Sequence, residues 1–145
     1  MDKRRDIEHA AQEIEELFSD LWQVFPFARG ARGYRPQLDV FRSDDRATLT
    51  ILVELPGIDP DRVNVIASAR ELVVAGERTR PKDCGHYEQM EIEYGRFQRH
   101  VAFAQDVDPE RATATHDRGI LRIVLPLAPT PSRRENVPIE VRTRR

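Results

Sequence analysis

Ala47-Thr-Leu-Thr-Ile-Leu-Val-Glu-Leu-Pro-Gly57 is the stretch on which the fold turns. Leu49, Ile51, Val53 and Leu55 recur at every second position, which puts them on one face of a strand and predicts a half-buried sheet. Pro56-Gly57 fits a type II turn: proline fixes φ at the first central position and glycine takes the positive φ at the next. Upstream, Gln37-Leu-Asp-Val-Phe-Arg42 reads as a shorter strand joined to it through a turn at Asp44-Asp45. Downstream come Val63-Asn-Val-Ile66 and Leu72-Val-Val-Ala75, the latter ended by Gly76-Glu77. A polar segment from Arg78 to Gly85 reads as a loop. Strands are expected again from Tyr87 to Glu93 and from Phe97 to Phe103, with a turn at Tyr94-Gly95. A final hairpin pairs 112–116 with 120–125 around Asp117-Arg118-Gly119. Seven or eight short strands with frequent turn signals and no helical period predict an all-β, immunoglobulin-like antiparallel sandwich over residues 36–127.

The sandwich is flanked by two segments of different character. In residues 1–35, Ile7, Ala10, Ala11, Ile14, Leu17, Phe18, Leu21, Trp22 and Phe25 recur at three- and four-residue intervals. This period predicts an amphipathic helix with one broad apolar stripe, ended by Pro26 and followed by a glycine-punctuated linker. Residues 128–145 read as an extended tail. Two prolines and the charges of Ser132-Arg-Arg-Glu-Asn136 disfavour collapse, and Val137-Pro-Ile139-Glu-Val141 alternates like a peptide that adds to a sheet edge.

Composition removes several functions. Lys and Arg number 23 against 25 Asp and Glu, a net charge of -2, so the chain has no overall pull toward nucleic acid or anionic lipid. Arg29-Gly-Ala-Arg-Gly-Tyr-Arg35 and the basic residues 142–145 are too short to reverse that. The single Cys84 excludes a disulfide framework. Neither a leader peptide nor a run of 18 apolar residues is recognisable, so a cytoplasmic protein without a membrane span is expected. His9, His86, His100 and His116 are scattered, and no phosphate-binding glycine loop is present, so no metal, cofactor or enzyme activity is expected.

Five stretches together resemble the small heat shock proteins, the α-crystallin-domain chaperones of the Hsp20 family. They are Pro36-Gln-Leu-Asp-Val-Phe41, Val53-Glu-Leu-Pro-Gly57, Leu72-Val-Val-Ala-Gly-Glu-Arg78, Tyr94-Gly-Arg-Phe-Gln-Arg99 and Ala114-Thr-His-Asp-Arg-Gly-Ile-Leu121, in the family's order and nearly its spacing. The sequence departs from the pattern at Ala104-Gln105, where the family often has Leu-Pro. The resemblance implies fold-defining turns at Pro56, Gly57, Gly95, Gly119 and Leu121. It implies a dimer interface near Arg99, Tyr87 and Phe97, with 78–90 similar to the loop that bacterial and plant members exchange. It implies that Ile139 and Val141 anchor in a groove of another subunit, lined by Leu72, Val74, Ile120, Arg122 and Val124.

The function so implied is ATP-independent holding of partly unfolded proteins by a homo-oligomer built from dimers. Ile14, Leu17, Phe18, Leu21, Trp22, Phe25 and Phe27 would grip clients or form the oligomer core, and ATP-dependent chaperones would take over refolding. A non-enzymatic interaction adaptor, similar to cochaperones, is the alternative. The chaperone expectation requires the apolar side chains at both ends to lie outside their own sandwich, available to other molecules.

Overall fold

The structure is a computed structural model that describes residues 33–128 and 136–144. The helix expected within 1–35, including Ile14, Leu17, Phe18, Leu21, Trp22, Phe25 and Phe27, lies outside the described residues. Nine strands follow one another: β1 (Leu38–Arg42), β2 (Thr48–Glu54), β3 (Val63–Ala67), β4 (Glu71–Arg78), β5 (Gly95–Ala102), β6 (Thr113–Asp117), β7 (Ile120–Pro126), β8 (Val137–Ile139) and β9 (Val141–Thr143). They form a five-stranded sheet, β1-β2-β7-β6-β9, and a four-stranded sheet, β5-β4-β3-β8. Every ladder is antiparallel except β6–β9. Among the described residues the only helices are two single 3-10 turns, Pro60–Arg62 and Pro109–Arg111, each capped by the preceding aspartate.

The alternation in β2 decides the layering. Leu49, Ile51 and Val53 stand opposite Leu125, Ile123 and Leu121 of β7 and face the second sheet. Leu72 and Val74 of β4 and Val65 of β3 face them from that side, and all are essentially shielded from water. At about 25 cal/mol for each Å² of apolar surface buried, this interior is the main stabilising term of the fold.

Two glycines are fixed by their surroundings. Gly119 has φ +80 and, with Arg118 at φ +48, forms the two-residue turn between β6 and β7. Its carbonyl accepts from Leu55 N–H at 2.7 Å, which docks this hairpin turn on the Leu55-Pro56-Gly57 turn. Gly76 lies in β4, where an added Cβ would stand 2.6 Å from the Arg62 carbonyl oxygen and 2.9 Å from Phe97 Cζ. A backbone oxygen cannot step aside as a flexible side chain can. Gly76→Ala is therefore expected to lower the unfolding free energy by about 1–3 kcal/mol, as overpacking does. Urea unfolding followed by circular dichroism measures this, and an unchanged midpoint would refute the clash.

One strand expectation fails within the single chain. Residues 87–93 form no ladder, and Thr79–Glu93 are exposed throughout. β4 already has β3 and β5 on its two sides, and residues 87–93 do not take up the open outer edge of β5 or of β1.

Candidate protein-interaction site

A sandwich that is not closed into a barrel leaves edge strands with unpaired N–H and C=O groups. On one side of this molecule those edges are β3 and β6, one from each sheet, and the closing segment of the chain covers both. Val137–Ile139 pairs antiparallel with β3, setting Ile139 opposite Val65. Val141–Thr143 pairs parallel with β6, setting Val141 opposite Ala114. Glu140 alone separates the two ladders, so the segment crosses from one sheet to the other within a single residue. Pro138, which has no N–H to give, points outward from the edge. Ile139 is buried in the core cluster and Val141 packs against it.

Within the single chain this placement differs from the seat expected in another subunit. Ile139 and Val141 do not hang clear of their own sandwich; they sit on it. The segment's neighbours are also not Leu72, Val74, Ile120, Arg122 and Val124. These lie on β4 and β7, each already paired on both sides, so neither strand offers an edge to an incoming peptide. The side chains divide further. Leu72 and Val74 point into the core, while Ile120, Arg122 and Val124 alternate with the buried Leu121 and Ile123 and point away from it.

The residues expected at a dimer interface divide in the same way. Phe97 is buried, with its ring edge-on to Tyr34 at 5.7 Å between centroids. Arg99 faces the gap between the sheets opposite Val74 and donates from Nη1 to the Pro36 carbonyl at 2.6 Å. Burial, and then the neighbouring Arg35, lowers its pKa. Both therefore serve their own chain here, because they alternate with the outward Gln98 and His100. Tyr87 alone of the three is exposed.

A second cluster was not legible in the sequence. Arg78, at the end of β4, is buried, and its guanidinium donates from Nε to the Glu93 carbonyl at 2.9 Å and from Nη1 to the Pro56 carbonyl at 3.3 Å; Nη2 also donates to Glu93. The same group lies 3.9 Å from the Tyr34 ring centroid and 5.3 Å from that of Tyr94. Arg80 continues the stack, 4.9 Å from Tyr94 and 5.3 Å from Tyr87. Alternating rings and guanidinium planes thus run Tyr34, Arg78, Tyr94, Arg80, Tyr87, each contact favourable because the cation meets the negative face of the ring. Tyr34 O–H donates to the Glu54 carbonyl at 2.7 Å, and burial raises its pKa above the usual phenol value. This joint ties the point where residue 33 enters the sandwich to both ends of the 79–94 loop.

Exposed apolar side chains mark the remaining surfaces. Val40 and Phe41 project from β1, whose outer edge is unpaired among the described residues, and Tyr87, Met90 and Ile92 project from the loop. Among the described residues no group of three His, Cys, Asp or Glu side chains could hold a metal ion, and no helix is long and apolar enough to cross a membrane.

Comparison with known proteins gives a consistent result. The family model described as "Hsp20/alpha crystallin family" matches residues 42–142. A protein named alpha-crystallin from Mycobacterium bovis is 35% identical over 113 residues, covering 73% of this chain and 74% of that protein. Heat shock protein 16 of Schizosaccharomyces pombe is 28% identical over 119 residues, covering 78% and 82%. Among solved structures, a small heat-shock protein from Xylella fastidiosa superposes with a TM-score of 0.58 at 30% identity, covering 72% of this chain and 96% of that one. The hspA of Xanthomonas axonopodis gives 0.60 at 27% identity, covering 68% and 98%.

Proposed function

Because this chain belongs to the Hsp20/alpha crystallin family of small heat shock proteins, which are non-enzymatic chaperones, we propose that it is an ATP-independent holdase acting as a homo-oligomer. The observation that carries this reading is the closing segment on the β3 and β6 edges. Its contacts are edge hydrogen bonds plus two aliphatic side chains, and the same segment of another copy offers them equally well. Burying Ile139 and Val141 yields about 3–6 kcal/mol gross. Association and ordering remove much of that, so one link is weak and many links in an assembly hold through effective concentration.

The dimer that precedes assembly is built from the exposed loop and the open edge of β1. Tyr87, Met90 and Ile92 of one copy would lie along Val40 and Phe41 of another, pairing residues 87–92 with the outer edge of β1, which is open among the described residues. Clients are partly unfolded proteins, whose exposed apolar surface meets the aromatic stripe of residues 14–27; ATP-dependent chaperones then refold what is released. Xylella fastidiosa's small heat-shock protein is described as having a high order structure, which supports assembly here.

A second reading keeps a specific observation in its favour. Since the closing segment satisfies both edges within one chain, a non-assembling interaction adaptor is the alternative.

Mass measurement in solution separates the two. An assembly well above dimer, together with suppression of heat-induced aggregation of a client without ATP, is expected. A stable monomer that leaves aggregation unchanged would end the holdase reading. Truncation after Arg134 should shift the size distribution to smaller species, and an unchanged distribution would remove the anchor.

A further inference from the structure

The two outward faces of the sandwich differ. That of the four-stranded sheet sets Glu71 and His100 at 2.9 Å, Glu77 and Arg96 at 3.7 Å, and Gln98 around the half-buried Ile66, Val73 and Ala75. That of the five-stranded sheet carries two rows in register across four strands, Phe41, Thr50, Val124 and Thr113, then Asp39, Leu52, Arg122 and Thr115, and one across three, Glu54, Ile120 and Asp117. Phe41 is 42% exposed and Ile120 36%, while Leu52 and Val124 are half-buried. Thr50 is only 4% exposed although its alternation points it away from the core, so its neighbours on this face already close over it. The guanidinium of Arg122 stands 6.0 Å from the Phe41 ring centroid. No part of the described chain covers this apolar stripe.

The leading segment enters the sandwich beside it. Tyr34 is bonded to the Glu54 carbonyl, and Glu54 is the ladder partner of Ile120. Residue 33 therefore emerges at the Ile120 end of the stripe. Residues 27–33 reach at most about 20 Å. The stripe from Ile120 to Val124 is about 13 Å long, so Phe25 and Phe27 can lie anywhere along it. Of residues 18–27 only Asp20 is charged, so this segment is nearly as apolar as the stripe, with Arg122 in the middle of the face to meet its one acid. The acids Asp39, Glu54 and Asp117 stand at the edge strand and the strand ends.

We propose that the outward face of β1, β2, β7 and β6, through Phe41, Leu52, Ile120 and Val124, is the docking site for the aromatic end, residues 18–27, of the same chain. This rests on the holdase reading and deepens it: docking masks two apolar surfaces at once, and a client that takes the leading segment uncovers the second.

Photocrosslinking of the full-length chain tests this, with benzoylphenylalanine placed at Phe41 or, separately, at Ile120, both exposed positions. Nitrogen-14 and nitrogen-15 labelled chains are mixed and allowed to exchange before irradiation, and the crosslinked peptides are identified by mass spectrometry. Crosslinks from both positions to residues 18–27 carrying the same label are expected. In parallel, Ile120→Lys should raise acrylamide quenching of the single tryptophan, Trp22, by twofold or more with an unchanged far-ultraviolet spectrum. Crosslinks that join these positions to residues 18–27 of a differently labelled chain, or that miss residues 18–27 from both positions, overturn the proposal, whereas a different-label crosslink from Phe41 to residues 87–92 reports the dimer alone. Client protection is assayed on the same preparations. Protection without the expected crosslinks sinks the docking alone, and crosslinks without protection sink the holdase reading alone.

Discussion

Leu121→Ala is expected to lower the unfolding free energy by about 2–5 kcal/mol. Leu121 has no exposed surface and lies in β7 between Val53 of β2 and His116 of β6. Removal of its branched end leaves a void that β7, paired on both sides, cannot collapse to fill. Domains of this size are stable by only about 5–15 kcal/mol, so the variant would populate unfolded chains near growth temperatures. Chemical unfolding followed by circular dichroism measures the loss. A shift below about 1 kcal/mol would mean that the interior repacks and that the two sheets are less tightly apposed than their burial implies.

Arg78→Ala should cost about 2–4 kcal/mol, because hydrogen bonds from a charged group are worth about 1.5–3 kcal/mol and a desolvated cation–π contact up to about 2, without strict additivity. The change leaves the buried side of the Pro56 and Glu93 carbonyls without their donor and takes the centre out of the stack joining Tyr34 to Tyr94. Arg78→Lys should restore only part of the loss, since an ammonium keeps the charge but lacks the planar fork that reaches two carbonyls while lying between two rings. Hydrogen exchange locates the effect: faster exchange should be concentrated at residues 33–38 and 93–97. If lysine restores full stability, the charge matters and the stack does not.

The placement of the closing segment alters how the chaperone reading is supported. Freedom of Ile139 and Val141 from their own sandwich was one of its two grounds, and in the single chain they are seated there. The leading segment, its other ground, lies outside the described residues. What replaces the lost ground is family membership and the nature of the seat. Edge pairing is a backbone interaction, so it does not distinguish one copy's segment from another's. The outcome depends on tether length and concentration.

Period-two alternation and turn residues made most of the sandwich legible. β1 to β7 fall within about three residues of the expected strands, because one buried face per strand imprints alternation on the sequence. Register across strands leaves no such imprint, and this is why the strands that seat the closing segment within the single chain are not legible in the sequence. Leu72 and Ile120 look in sequence as suitable for a groove as Val65 and Ala114 do. Only the order β5-β4-β3-β8 and β1-β2-β7-β6-β9 shows which strands have a side left to offer. The same holds for residues 87–93, whose composition suits a strand but which pair with no edge within the single chain.

By itself the sequence determined the fold class, the succession of strands and turns, and the family, since each is written in local spacing: hydrophobes two apart, glycine and proline where φ demands them. The tertiary structure alone decided that the closing segment lies on β3 and β6, that Arg78 joins the base of the loop to Tyr34, and that Phe41, Leu52, Ile120 and Val124 share one outward face. Those outcomes depend on residues distant in the chain meeting through strand order and register, which no local pattern encodes.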